Sequence, residues 1–168
     1  TTYEQNQTSS YDFNDAGKRA LKNTALAFLL AGNNASSYYA IVETQYTSAD
    51  NMTDKIGALA AINDSNSNTL RQQLLDSFAA SFANYPLVMD KWFMLQAQSQ
   101  ANDTLEKVLE LAKHPKFDNT NPNKLYALVR AFGANPKLFN SMQGYQWIAD
   151  EVLRIDKFNS GVAGRVAG

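Results

Sequence analysis

The apolar residues of this chain recur at a helical step. Leu70, Leu74, Phe78 and Phe82 recur every fourth position, which puts them on one face of an α-helix. The same period returns along the whole sequence. Leu21, Ala25, Phe28 and Leu29 form a stripe that Asn14 or Asp15 can cap, and Gly32 stands where a left-handed C-terminal residue is wanted. A second helix is predicted from Ser36 to about Gln45, with Tyr38, Ile41 and Val42 inward, and a third from near Thr53 with Ile56, Leu59 and Ala60. Residues 63–68 are a polar break. Pro86 suits the first turn of a helix whose body is Val88 to Ala97. Asp103 and Glu106 read as a capping box before Leu105, Val108, Leu109 and Ala112, and His114-Pro115 ends that segment. Asn121-Pro122 opens a helix carrying Leu125, Leu128, Val129 and Phe132, stopped by Gly133. Asn135-Pro136 is expected to start a short helical turn. Gly144 to Lys157 forms a full helix with Trp147, Ile148, Val152 and Ile155 inward, and Ser160 to Gly168 begins one more.

No stretch alternates with period two, so no sheet is expected. About nine short helices joined by short polar breaks favour antiparallel neighbours, stacked as helix pairs of the solenoid or superhelical kind. The 168 residues suit a single helical domain, and 45% of them are hydrophobic, enough for a core. Residues 1–12 are polar and read as a linker from a preceding domain. The amphipathic pattern that starts at Ser160 breaks off unfinished, as if the tail were truncated.

The chemistry-bearing residues are few. A hydrolytic zinc site on a helix needs two histidines a turn apart and a nearby carboxylate, but this chain has one histidine, His114, and no cysteine. The His114 position favours a helix C-terminal histidine held by the dipole. Gly161, Gly164 and Gly168 follow no strand and make no phosphate loop. Asp150 and Glu151 are adjacent on a helix and do not face each other, so they read as a solvated face. Asp90-Lys91 reads as a surface pair or an ion pair at a domain interface. Tyr38, Tyr39, Trp92 and Trp147 stand at helical spacings and are expected to pack in the core. A formal net charge of -1 gives no electrostatic reason to expect nucleic acid or an anionic membrane as partner. The apolar stretch Thr24 to Ala31 is too short to insert across a bilayer. From its residues alone the chain is a helical scaffold or lid with no catalytic or metal-binding residues of its own.

Several segments resemble a known domain, and they do so in order. They are Lys18 to Asn23; Asp50 to Asp54 followed by Ala58 to Ala61; and Leu87-Val88-Met89-Asp90-Lys91-Trp92-Phe93 with Leu95-Gln96-Ala97. His114 to Phe117, Asn121 to Lys124, Ala131-Phe132, Asn135-Pro136 and Asn159 to Arg165 complete the series. Together they resemble the C-terminal helical domain of bacterial aminopeptidase N, the alanyl aminopeptidases of the gluzincin class. The resemblance implies a domain that packs on the catalytic domain of the same polypeptide, closes the active-site cavity and limits the access of peptide substrates. It also implies zinc in that catalytic domain, none in this chain, and a bacterial cytoplasmic setting, with loose membrane association or the periplasm as alternatives. Arg165 matches the arginine of the family's Val-Ala-Ser-Arg segment, which faces the internal cavity and meets the C-terminal side of a bound peptide. Gly164 replaces the family's serine, Ser160-Gly161 replaces Pro-Gln, and Tyr126 stands where some relatives have a second basic residue. The competing reading is an independent helical-repeat module that binds a protein or peptide in a groove. On either reading the chain alone is expected to be inactive, while a full-length parent of the first kind is a zinc-dependent hydrolase.

Overall fold

Proline and asparagine set where several of these helices begin. The computed structural model describes residues 13–65 and 68–168, so the expected linker at 1–12 lies outside the described residues. The elements are α1 (Phe13–Ala31), a 3-10 turn (Ala35–Tyr38), α2 (Tyr39–Ser48), α3 (Met52–Asn63), α4 (Asn68–Phe82), α5 (Pro86–Ala97), α6 (Thr104–Leu111), α7 (Pro122–Leu125), a π-helical turn (Tyr126–Arg130), α8 (Ala131–Gly133), α9 (Met142–Asp156) and α10 (Ser160–Ala167). No strand occurs among the described residues, so the expected all-helical class holds. Pro86 and Pro122 occupy the first turns of α5 and α7, where a missing N–H costs nothing. Asn51, Asn121, Ser141 and Asn159 each accept a first-turn N–H through the side chain, capping α3, α7, α9 and α10.

The chain divides into two compact units, Thr1–Ser77 and Phe78–Gly168, with the boundary inside α4. In the first, α3 packs against both α1 and α2. Its buried apolar residues include Leu26, Val42, Leu59, Ile62 and Leu74. The face of α1 that turns inward is not the predicted one. Phe28 is 75% exposed and Leu21 49%, whereas Arg19, Lys22, Leu26 and Leu30 are buried. The cause is polar. The Lys22 ammonium donates to Asp54 at 2.6 Å, and Asn23 donates to the other Asp54 oxygen at 3.3 Å while accepting from Gln45 at 2.8 Å. A buried cation must face its partner, and this contact turns α1 about its axis. Gly57 of α3 lies against that network, since a Cβ there would stand 2.4 Å from Asn23 Cγ.

In the second unit α5 packs against α6, α7, the π-helical turn and α8, while α10 packs against α9 and the π-helical turn. Phe78, Phe93, Phe132, Met89, Leu125, Leu128, Val108 and Ile155 are fully buried there. Two local expectations give way. Among the described residues no glycine has a positive φ, so neither Gly32 nor Gly133 is a left-handed stop; the chain leaves α1 through a tight turn in which the Ala35 N–H donates to the Gly32 carbonyl. Asp103 stands at the N-cap of α6 but makes no capping hydrogen bond, so the box does not form. Asn135-Pro136 opens the expected single turn, closed by the Phe139 N–H on the Asn135 carbonyl at 3.2 Å, and no further helix follows it before α9. The Asn135 side chain is buried; it donates to the carbonyls of Ala97 and Ser99 at 3.2 and 2.8 Å and accepts the N–H groups of Lys137 and Leu138. Side-chain bonds of this kind compete with helical backbone bonds.

Candidate functional site

Arg165 sits on the exposed side of α10, behind the Asn159 cap, while Val162, Ala163 and Val166 of the same helix are buried. Burial of those three residues fixes which way Arg165 faces. Its Nη1 donates to the hydroxyl oxygen of Tyr126 at 3.4 Å. Tyr126 is half-buried and opens the π-helical turn, a widened turn that α10 packs against. Such turns are frequent at functional sites. The sequence placed Tyr126 only as a departure from a basic residue; the structure brings it 39 positions along the chain to Arg165. A planar guanidinium of this kind can grip a carboxylate with two parallel N–H bonds, or a peptide carbonyl with one.

Next to this turn lies a buried ion pair that the sequence assigned differently. Asp90 does not pair with Lys91, which is exposed. Its partner is Lys124, at 2.5 Å, and Lys124 also donates to the Pro86 carbonyl at 2.9 Å. The pair ties the start of α7 to the start of α5. Lys124, Lys116, Pro86 and Met89 line a concavity of about 290 Å³. Larger ones, of about 700 and 610 Å³, lie along α1, the 3-10 turn and α3, and between α6 and the loop before α9. Arg165 and Tyr126 line none of the three.

The other sequence candidates have structural partners. Asp150 accepts from Gln146 at 2.8 Å, and Glu151 is held by Arg154 at 2.7 Å, so the two carboxylates act separately. Arg154 also donates to the Asn119 carbonyl, fixing α9 to the loop before α7. Trp92 is buried against Phe93 and His114, and Trp147 is half-buried against Phe132, both as packing residues. Tyr38 and Tyr39 are half-buried, and Tyr39 lines the concavity of about 700 Å³.

His114 lies beyond the end of α6 at Leu111, and its ring neighbours are Trp92 and Phe93 at 5.4 and 5.7 Å. Its Nδ1 accepts the Lys116 N–H at 3.1 Å. Burial first, and the Lys116 charge second, hold its pKa below the usual imidazole value of 6.5. His114 follows the C-terminal end of α6, as expected, and its backbone N–H donates to the Leu111 carbonyl at 3.0 Å. In the unfolded chain the imidazole binds its proton more readily than in the folded one. His114 therefore contributes stability above about pH 6.5 that is lost as pH falls through its folded pKa. Thermal melts from pH 8 to 5 are expected to show a smaller acid-side loss for His114→Gln than for the parent sequence; an equal loss in both would remove His114 from the account.

Zinc does not fit the residues present. There is one histidine and no cysteine in the chain, and among the described residues no three His, Asp or Glu side chains are grouped to hold a metal ion. No helix among the described residues is long and apolar enough to cross a membrane.

Comparison with known proteins agrees with the fold and sharpens it. Residues 1–168 match the family model described as a domain of unknown function, DUF3458_C, with ARM repeats. Aminopeptidase N of Caulobacter vibrioides is 39% identical over 160 residues, 94% of this chain and 18% of that protein. Aminopeptidase N of Escherichia coli K12 is 35% identical over 169 residues, 98% of this chain and 19% of that protein. Among solved structures, Legionella pneumophila aminopeptidase A in complex with aspartic acid aligns at a TM-score of 0.87 and 30% identity, over 98% of this chain and 21% of that one. The chain thus spans about a fifth of the length of the curated relatives it matches. It belongs to the DUF3458_C family of ARM-repeat domains, and corresponds along nearly its whole length to a segment of bacterial aminopeptidase N.

Proposed function

We propose that this chain is the non-catalytic C-terminal domain of a zinc-dependent aminopeptidase, which removes N-terminal residues from peptides. Residues 1–168 act as one helical domain that packs on the catalytic domain of the same polypeptide, covers the active-site cavity and limits which peptides enter. The supporting observation is the match to aminopeptidase N, which takes in 94–98% of this chain but under a fifth of each relative. Zinc, its ligands and the general base are assigned on this reading to the remainder of such a polypeptide, since this chain has a single histidine and no cysteine. The setting is bacterial and cytoplasmic on this reading.

Arg165 is the residue that faces the cavity and meets the C-terminal side of a bound peptide. Its exposure and its fixed direction on α10 support that role. In the full-length enzyme, Arg165→Ala is expected to raise KM for peptides of three or more residues about tenfold more than KM for an alanyl arylamide, the loss of one charge-assisted contact. Equal shifts for short and long substrates would remove Arg165 from the substrate path.

A further inference from the structure

We propose that Tyr126 is the positioning partner of Arg165, and that the two together recognise a free carboxylate in preference to an amide. The inference rests on the reading of Arg165 given above. It starts from three observations: the Arg165 Nη1 bond to the Tyr126 hydroxyl, the π-helical turn that begins at Tyr126, and the packing of α10 on that turn.

An exposed arginine on the last helix would sample many rotamers, and ordering it costs entropy each time a ligand binds. Tyr126 reduces that cost. Its ring is half-buried in a turn whose Ala127, Leu128 and Val129 are buried, so the phenol is held by its backbone. The phenol oxygen accepts one guanidinium N–H and so biases the Arg165 rotamer. At 3.4 Å this bond is long, which suits orientation better than stability. The phenol keeps its own proton, because a hydroxyl accepts and donates at once. A carboxylate placed against the pair would receive N–H bonds from Arg165 and the O–H bond of Tyr126. Donation from the guanidinium to the phenol oxygen also makes that O–H a better donor. A C-terminal amide offers a single neutral acceptor and two donors that face other donors, so it gains far less.

Lys124, just before the π-helical turn, is buried on Asp90, while Tyr126, at its start, reaches Arg165. One cation is committed to the scaffold and the other stays exposed.

The test uses the full-length enzyme and a tripeptide supplied as the free acid and as its C-terminal amide. Tyr126→Phe keeps the ring and removes only the hydroxyl. It is expected to raise KM for the acid about three- to tenfold more than for the amide, with kcat changed much less than KM. Arg165→Ala is expected to erase the same preference more completely, and the double variant to be no worse than Arg165→Ala alone. A loss of acid preference in Arg165→Ala with none in Tyr126→Phe would overturn the positioning role while sparing Arg165. No loss in Arg165→Ala would overturn the site itself and this inference with it. Additive losses in the double variant would show that Tyr126 acts independently, and would also overturn it. Far-ultraviolet circular dichroism of Tyr126→Phe and Arg165→Ala confirms that a null result is read on folded protein.

Discussion

Asp54→Ala is expected to cost about 3–5 kcal/mol, because it strands the Lys22 ammonium inside the first unit. The two side chains are 5% and 4% exposed and 2.6 Å apart, so neither has water to fall back on. Asp54 also accepts from Asn23 and Asn51, and its own N–H caps on Asn51. Removing the carboxylate therefore unsettles the start of α3 as well as the face of α1. For a chain of this size the loss corresponds to roughly 10 °C in the midpoint of thermal unfolding. The double replacement Lys22→Met with Asp54→Leu should recover much of the deficit, because a buried pair contributes little net stability over apolar residues of similar volume. A loss below about 1 kcal/mol for Asp54→Ala would mean that Lys22 escapes to solvent and that the pair does not set the face of α1.

The second large effect lies in the other unit. Phe93 is fully buried, with Trp92, His114 and Phe117 at 5.1, 5.7 and 5.5 Å and the Lys124 ammonium 5.5 Å from its ring. Phe93→Ala removes the shared neighbour of α5, the loop after α6 and the start of α7. The expected cost is about 3–5 kcal/mol, transfer and cavity terms together, against about 1–1.5 kcal/mol for Phe93→Leu. Chemical denaturation followed by tryptophan emission measures both. Indistinguishable variants would show that this cluster is not where the second unit is held.

These two sites show what the sequence could and could not reveal. Period and capping are local, so the Leu74-Phe78 stripe, the prolines that open α5 and α7 and the all-helical class could be read from neighbouring residues. The inward face of α1 could not. Two stripes compete on it, Leu21-Ala25-Phe28-Leu29 and Arg19-Lys22-Leu26-Leu30, and the second carries Lys22, whose partner Asp54 is 32 positions away. The anchoring of the Asn135 side chain was hidden for the same reason, since it answers carbonyls 38 and 36 positions back. Lys91 looked like the partner of Asp90 because it is adjacent, yet adjacent helical residues diverge, and Lys124 took the place. At the candidate site the resemblance singled out Arg165 and marked Tyr126 as the place of a second basic residue in some relatives; the fold supplied the hydrogen bond between them, and no sequence pattern marks where a helix widens into a π-helical turn.

On the proposed reading, this chain is part of an aminopeptidase whose chemistry lies elsewhere in the polypeptide. The most direct measurement is hydrolysis of an alanyl chromogenic substrate, with zinc supplied, by the 168-residue chain and by the full-length polypeptide that contains it. Turnover is expected from the full-length enzyme and none from the chain alone. Turnover by the chain alone that survives both chelator and repurification would contradict it, and would place a catalytic centre among residues assigned to packing.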